Sequence, residues 1–76
     1  MANYSVYKGD DGEWKAKNDD KSRAASSHTR QQDAIDAARG YTHNAGGGEV
    51  TIHGVDGKIR AKDTIAPGND PHPPKG

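Results

Sequence analysis

Residues 49–62 read EVTIHGVDGKIRAK, and this stretch decides the fold because its pattern is that of a β-hairpin. Two alternating segments, 49–53 and 58–62, flank Asp56-Gly57, a residue pair that favours a two-residue type I′ turn with positive φ at both positions. A turn centred there pairs Ile52 with Ala61. The register predicts that four apolar residues share the packed face of the hairpin: Val50, Ile52, Ile59 and Ala61.

The first part of the chain predicts a second hairpin. Segments 4–8 and 13–17 alternate between apolar and polar residues, which indicates half-buried strands, and GDDG at 9–12 separates them. Trp14 and Ala16 share a face with Val6 only if paired residue numbers have an even sum. We therefore expect a three- or five-residue loop, or a glycine bulge at Gly12. Residues 25–28 fit either a short extended segment or a continuation of the preceding loop.

A helix is predicted over residues 29–44. Thr29 and Gln32 have the spacing of a capping box, and Gly46 is placed to end the helix in the left-handed conformation. Gly40 weakens the helix by up to about 1 kcal/mol, and its missing side chain would allow close approach to a sheet. The helical spacing of about 3.6 residues is carried by Ala34, Ile35, Ala38, Tyr41 and Ala45.

The order of these elements, β-β-α-β-β, predicts an α+β fold in which two β-hairpins form an antiparallel sheet with one α-helix packed on one face. We expect a single compact domain over residues 1–65. Residues 66–76 contain all four prolines and nothing apolar to bury, so they predict a disordered Pro/Gly-rich tail. The expected core is Tyr4, Val6, Trp14, Ala16, Ala34, Ile35, Ala38, Tyr41, Val50, Ile52, Ile59 and Ala61.

Three motifs, taken in order, carry a family resemblance. They are DDGEW at 10–14, TRQQDAIDAAR at 29–39 and HGVDGKI at 53–59. Together they resemble the small bacterial proteins of domain-of-unknown-function family 2188, over about residues 4–63. The resemblance implies a compact α+β fold and a bacterial or phage source. It implies no catalytic residues, because the family has no assigned activity.

Composition excludes several classes of protein. The net charge is zero, from 11 basic and 11 acidic residues, whereas a dedicated nucleic-acid binder usually has a basic excess. Without cysteine there are no disulfides or thiolate metal sites. No apolar run approaches the roughly 20 residues of a membrane span, and the N-terminal segment does not have the pattern of a signal peptide. We expect a soluble cytoplasmic protein whose small core favours homodimerisation.

Residues with catalytic or metal-binding chemistry do not form a known motif. The histidines at 28, 43 and 53 are far apart in sequence, unlike the close pairs of zinc sites. Ser26, Ser27 and His28 are neighbours without a nucleophile motif around them. Gly46-Gly47-Gly48 precedes a strand, whereas a phosphate-binding loop opens a helix. We expect no enzymatic activity, no metal and no cofactor.

Two kinds of binding remain. A cationic sheet face with an aromatic residue is typical of several single-strand nucleic-acid binders. Open sheet edges, in contrast, favour protein binding or self-association. We expect an interaction module for a protein partner or for itself, of which a phage- or plasmid-encoded inhibitor of a host protein is one form. The alternative is nucleic-acid binding. The candidate binding residues, predicted on the face away from the helix, are Tyr7, Lys15, Lys17, His53, Lys58, Arg60 and Lys62.

Overall fold

The computed structural model describes residues 2–66, so the predicted tail lies outside the described residues except for its first position. Five strands and one helix follow each other in the order β-β-β-α-β-β. The strands are β1 (Ala2–Lys8), β2 (Trp14–Asn18), β3 (Ala24–His28), β4 (Gly48–His53) and β5 (Ile59–Ile65), and the helix is α1 (Gln31–Asn44). The α+β class is therefore confirmed.

The strands form one mixed sheet in the order β3-β2-β1-β4-β5. β1 and β4 are parallel, with Ala2 beside Gly48 and Val6 beside Ile52, and the other pairs are antiparallel. The predicted all-antiparallel sheet is wrong because β3 is a strand. β3 has the same direction as β1. The helix that follows β3 carries the chain back across the sheet, so β4 starts at the same end as β1 and is parallel to it.

The hairpin of β1 and β2 has the predicted even register, with Val6 opposite Ala16 and Lys8 opposite Trp14. Its loop comprises three residues, 10–12, closed by the Gly9 amide donating to the Glu13 carbonyl at 2.7 Å. Gly12 has a φ of 84°, a left-handed conformation that glycine adopts at little cost. The expected three-residue loop is confirmed.

The hairpin of β4 and β5 has the predicted pairing of Ile52 with Ala61, but the predicted type I′ turn is wrong. Gly57 has a φ of 85°, whereas the φ of Asp56 is negative. The Gly54 amide donates to the Lys58 carbonyl at 2.8 Å, which makes another three-residue loop. This longer loop is reconciled with the strand register by a β-bulge, after which His53 pairs with Ile59.

The helix begins at Gln31, two residues later than predicted, and the expected capping box does not form. Arg30 occupies the N-cap with no side-chain hydrogen bond, while the side-chain Nε2 of Gln31 donates to the His53 carbonyl at 3.2 Å. The other end matches the prediction, since Gly46 has a φ of 94°. There the Gly47 amide donates to the Thr42 carbonyl at 2.9 Å, the six-residue bond of a Schellman motif.

Gly40 is exposed, and a Cβ placed there would meet nothing within 4 Å. The idea that this glycine allows close packing is therefore wrong. The position that needs glycine for space is Gly48, where a Cβ would collide with the backbone of Ala2 in the neighbouring strand. The close approach that the sequence suggested for the helix occurs instead between the two parallel strands.

The core lies between α1 and the central strands. Seven of the predicted residues are buried, and Tyr4, Ile35 and Tyr41 pack against them partly exposed. Thr42 is also fully buried, with its hydroxyl donating to the Ala38 carbonyl at 2.7 Å. The buried seven are Val6, Trp14, Ala16, Ala34, Ala38, Val50 and Ile52.

Ile59 and Ala61 are exposed, so their predicted place in the core is wrong. Paired residues point to the same face, and Ile59 pairs with His53, on the face away from the helix. Ala61 faces the helix side, opposite Ile52, but the helix does not cover it. Five strands span about 19 Å, at about 4.8 Å each, whereas a helix is about 10 Å wide.

Candidate interaction surfaces

The face of the sheet away from α1, called here the outer face, contains most of the predicted binding residues. Tyr7 lies opposite Lys15, and Lys15 lies opposite Ser27. A second row across the sheet runs from Lys17 through Ser5 and Thr51 to Lys62. Lys17 and Lys62 are therefore three strands apart, about 14 Å, so the cations form two groups rather than one cluster.

Acidic side chains accompany the cations of the outer face. Lys15 Nζ lies 2.8 Å from Asp11 Oδ2, and Lys62 Nζ lies 3.7 Å from Glu49 Oε1. Ser5 lies opposite Lys17 in the second row, and its hydroxyl donates to Asp19 at 2.6 Å. The outer face thus carries both signs of charge, which weakens the attraction that a purely basic face would have for a phosphate backbone.

The pair of Lys15 and Asp11 is a structural contact. Lys15 Nζ also donates to the Ser27 hydroxyl at 2.9 Å, so one ammonium joins the first turn to β3. The hydrogen bond from Lys15 lowers the pKa of the Asp11 carboxyl, and the same bond raises the pKa of Lys15. Each partner favours the charged form of the other, which keeps the ion pair present at neutral pH.

The remaining predicted residues lie near the second turn. Lys58 is exposed and its amide donates to Asp56 Oδ1 at 3.1 Å. Arg60 occupies the bulge, and its aliphatic stem lies where a Cβ on Gly54 would be. His53 Nδ1 lies 3.0 Å from the Gly57 carbonyl and can donate to it when that nitrogen is protonated. His53 therefore supports the turn.

An apolar surface exists at the same hairpin. Val55 is 73% exposed and Ile59 is 60% exposed, and these are the exposed large hydrophobic residues among those that the structure describes. Beside them β5 forms an edge of the sheet, and α1 contacts this strand least. Apolar side chains next to an open strand edge are suited to protein contacts.

A serine and a histidine of β3 are brought together on the helix side of the sheet. Ser26 Oγ lies 2.8 Å from His28 Nε2, and both residues are half-buried. Hydrolytic Ser-His sites also have a third group that orients the histidine. Within residues 2–66, the hydrogen bond of the His28 ring is the one to Ser26. The contact satisfies two polar groups beside the core.

A groove of about 480 Å³ opens at the other end of β4 and β5. Its lining includes Asn3, Glu49, Thr64 and glycines 46–48. The Gly46 and Gly47 amides are already used by the helix terminus, and Glu49 faces Lys62. Several polar groups of this groove therefore already have partners within the protein. Among the described residues, no three His, Asp or Glu side chains are grouped to hold a metal.

The sequence pattern missed the exposure of Ile59, and it left residues 25–28 as either an extended segment or a loop, whereas the structure has them in β3, one of the two edge strands. The bulge at Arg60 moves Ile59 to the outer face, but the apolar and polar residues still alternate before and after it, so the sequence gives no sign of the bulge. One helix is too narrow to cover five strands, and this difference in width would have predicted an uncovered edge strand.

The fold defines a two-layer α+β protein with a five-stranded mixed sheet and one helix. A family model described as "Uncharacterized protein conserved in bacteria (DUF2188)" matches residues 4–65 of the 76-residue chain, and the chain belongs to this family. Searches of curated proteins and of solved structures found no match. Across residues 2–66, no helix has the length and apolar character needed to cross a membrane.

Proposed function

We propose that this chain is a non-enzymatic interaction module of the bacterial cytoplasm whose partner is a protein. The binding surface is the hairpin of β4 and β5. The observation that carries the proposal is the exposure of Val55 and Ile59, at 73% and 60%, on one hairpin whose outer strand has an open edge. A minority of interface residues, clustered near the centre of the interface, cost more than about 1 kcal/mol each when truncated, and we assign Val55 and Ile59 to this group.

The geometry of the hairpin supports a protein partner over a small molecule. The surface is a strand edge with projecting side chains, whereas small-molecule sites are concave and mostly apolar. Strand addition to such an edge uses backbone hydrogen bonds for affinity and alternate side chains for specificity. An inhibitor of a host protein and a self-associating module would both use this surface in the same way.

A double variant, Val55→Ser with Ile59→Ser, tests the proposal. The wild-type chain and the variant are immobilised, incubated with bacterial lysate, and the captured proteins are quantified and then purified for titration against each chain. We expect the double variant to bind the captured protein at least about tenfold more weakly, since two apolar contacts are lost. Ala25→Ser with Ala45→Ser, also at exposed positions, is the matched control.

Equal binding by the wild type and the double variant, with unchanged melting temperatures, would contradict the proposal. Sedimentation of the chain alone examines the self-associating form. A monomer at all concentrations up to about 1 mM would exclude homodimerisation, because even interfaces of millimolar Kd would then be populated.

The alternative function is nucleic-acid binding through the outer face. Its support is the placement of Tyr7 beside Lys15 and Lys17 on one surface, where a base could stack on the ring. Titration with single- and double-stranded DNA and RNA at about 50 mM salt favours any phosphate contact. Absence of binding, or binding that Lys17→Glu with Lys62→Glu leaves unchanged, would remove this alternative.

A further inference from the structure

We propose that the protein partner adds one extended strand to the open edge of β5, and that this strand carries carboxylates that face the cations beside this edge. The inference rests on the proposed function and specifies the chemistry of its partner. Three observations support it: the direction of the backbone groups of β5, the cations beside its edge, and the contacts that β3 makes at the equivalent place in the other hairpin.

The backbone groups that point to the open edge belong to Lys62 and Thr64. The Gly47 carbonyl, directly before β4, accepts from the Ala2 amide, and the Glu49 amide donates to the side-chain Oδ1 of Asn3, so backbone groups of odd-numbered residues in this segment face β1. Those of even-numbered residues then face β5, where their partners are Ala61, Asp63 and Ile65. By alternation, the amides and carbonyls of Lys62 and Thr64 are directed outward, where a further strand would use them.

The charges at this edge select the partner. Lys62 shares the outer face with Thr51, and its contact with Glu49 is a long one at 3.7 Å with both side chains half-exposed. Lys58 and Arg60 are exposed in the adjoining turn and bulge. The one carboxylate of β5, Asp63, lies opposite Val50 on the helix side and faces Arg39 at 3.8 Å. The exposed charges beside this edge are therefore mainly cationic, with Lys62 on the outer face and Lys58 and Arg60 at the turn and the bulge.

A second copy of β5 fits this edge poorly. In a two-fold antiparallel pair, the residue at the axis faces its own copy. An axis at Arg60, Lys62 or Asp63 opposes like charges, and an axis at Ala61 opposes Arg60 with Lys62. Like charges directly opposite each other destabilise a strand pair. An axis at Thr64 avoids this conflict but pairs residues 63–65 alone, so the first four residues of β5 face no residue of the second β5. A strand with carboxylates meets none of these conflicts.

The first hairpin shows what such a strand would do. β3 runs antiparallel to β2 at the edge that corresponds to the open edge of β5. From there the Ser27 hydroxyl accepts a hydrogen bond from Lys15 at 2.9 Å. The residue of β5 that corresponds to Lys15 is Arg60, and Lys62 corresponds to Lys17. Because Arg60 lies at the bulge with its stem over Gly54, Lys62 is the cation that keeps the outer-face position. A partner strand in the place of β3 would offer acceptors to Lys62 there, and carboxylates make the strongest such bonds.

The experiment uses the full chain, labelled with ¹⁵N, and two synthetic peptides of equal length. One peptide alternates glutamate with valine, and the other alternates lysine with valine. We expect the acidic peptide to bind at least about tenfold more tightly than the basic one, since opposed pairs change from attraction to repulsion. Binding should shift the amide resonances of Lys62 and Thr64 and slow their hydrogen exchange, while the outward-facing edge of β3 is unaffected.

Charge reversal by Arg60→Glu with Lys62→Glu should invert the preference, so that the basic peptide binds more tightly. Lys21→Glu with Arg23→Glu makes the same change of charge in the loop before β3, at the other edge, and should leave the preference unchanged. Equal binding of both peptides, failure of both to bind, or shifts at β3 in place of β5 would each overturn the inference.

The peptides and the variant Val55→Ser with Ile59→Ser together distinguish a failure of this inference from a failure of the proposed function. If the acidic peptide does not bind but Val55→Ser with Ile59→Ser still loses its captured protein, the hairpin binds a protein by another mode. If the acidic peptide binds β5 while the captured protein is held equally by that variant, the edge chemistry is right and the proposed function of the apolar residues is wrong.

Discussion

The two hairpins of this protein are built from closely similar segments. Residues 9–18 read GDDGEWKAKN and residues 54–63 read GVDGKIRAKD, with glycine, aspartate, glycine, alanine and lysine at equivalent places. In both, the first glycine amide donates across the loop, at 2.7 and 2.8 Å, and the second glycine has a φ of 84° or 85°. In both, the aspartate Oδ1 accepts from the amide two residues later, at 3.0 and 3.1 Å.

The surroundings of the two segments differ completely. Trp14 is 7% exposed beneath the helix, whereas Ile59, its equivalent, is 60% exposed. Lys15 forms an ion pair with Asp11, while Arg60 occupies a bulge that the first hairpin lacks. Local sequence therefore determines the conformation of the turn, whereas the position of a strand relative to the helix determines which of its residues are buried. The apolar residues of the first segment are buried in the core, whereas those of the second segment are exposed at the surface.

The largest expected effect contrasts the two equivalent apolar residues. Trp14→Ala should lower the free energy of unfolding by about 3–5 kcal/mol, because it removes a large buried side chain. Ile59→Ala should change it by less than about 1 kcal/mol, because most of that side chain is already in water. Urea unfolding followed by circular dichroism measures both, and similar losses would show that Ile59 is buried in solution.

The next effect tests whether the turns are equivalent. Gly12→Ala and Gly57→Ala should each cost about 1–2 kcal/mol, since an L-residue resists the left-handed conformation and no neighbouring atom within 4 Å adds a clash. Thermal and urea unfolding should give similar values for the two variants. D-alanine at either position, introduced by chemical synthesis, is the control and should restore stability. A turn that tolerates L-alanine does not have the conformation described.

Gly40 provides the opposite case to the turn glycines. It lies in the helix with open space around its Cα, so Gly40→Ala should raise the free energy of unfolding by up to about 1 kcal/mol. The melting temperature should rise accordingly. Gly48→Ala is the contrasting variant, because a Cβ there collides with Ala2, and it should lower the melting temperature. A fall in the melting temperature of Gly40→Ala would contradict its exposure.

The smallest effect concerns the ion pair present in the first turn. The hydrogen bond from Lys15 holds the pKa of Asp11 below its ordinary value of 3.8. A carboxyl with a depressed pKa contributes stability above that value, and this contribution is lost as the pH falls through the lower, folded-state pKa. Asp11→Asn should therefore flatten the loss of stability below about pH 4. Asp56→Asn, which alters the equivalent backbone contact, is the control in urea unfolding from pH 2 to 7.

Much of the fold could be predicted from the sequence because its signals are local. Trp14 and Ala16 alternate, Gly12 lies at the one place where the register needs a loop of odd length, and Gly46 ends the helix. The even register of the first hairpin and the pairing of Ile52 with Ala61 follow from these patterns alone. Each depends on neighbours within a few residues.

The errors occurred where distant parts of the chain decide the outcome. Residues 25–28 fit either a strand or a loop by sequence, and pairing with β2 decides for the strand. Leaving β3 out of the sheet led to the wrong prediction that β4 runs antiparallel to its neighbour. Asp56-Gly57 fits both a two-residue type I′ turn and a three-residue loop, and the bulge at Arg60 is found with the three-residue loop. For the binding surface, five of the proposed residues lie on the outer face, but the sequence does not reveal that Asp11 and Glu49 accompany them.

The central position of β1 has a consequence for how the chain folds. β1, β2 and β3 follow each other closely and can associate as soon as they leave the ribosome. The parallel contact of β1 with β4 joins Asn3 to Glu49, 46 residues apart, with the helix in the chain between them. Contacts of such long range close large loops and slow folding. Joining the two halves is therefore expected to limit the rate, and the amino-terminal strand remains exposed on one side until β4 arrives.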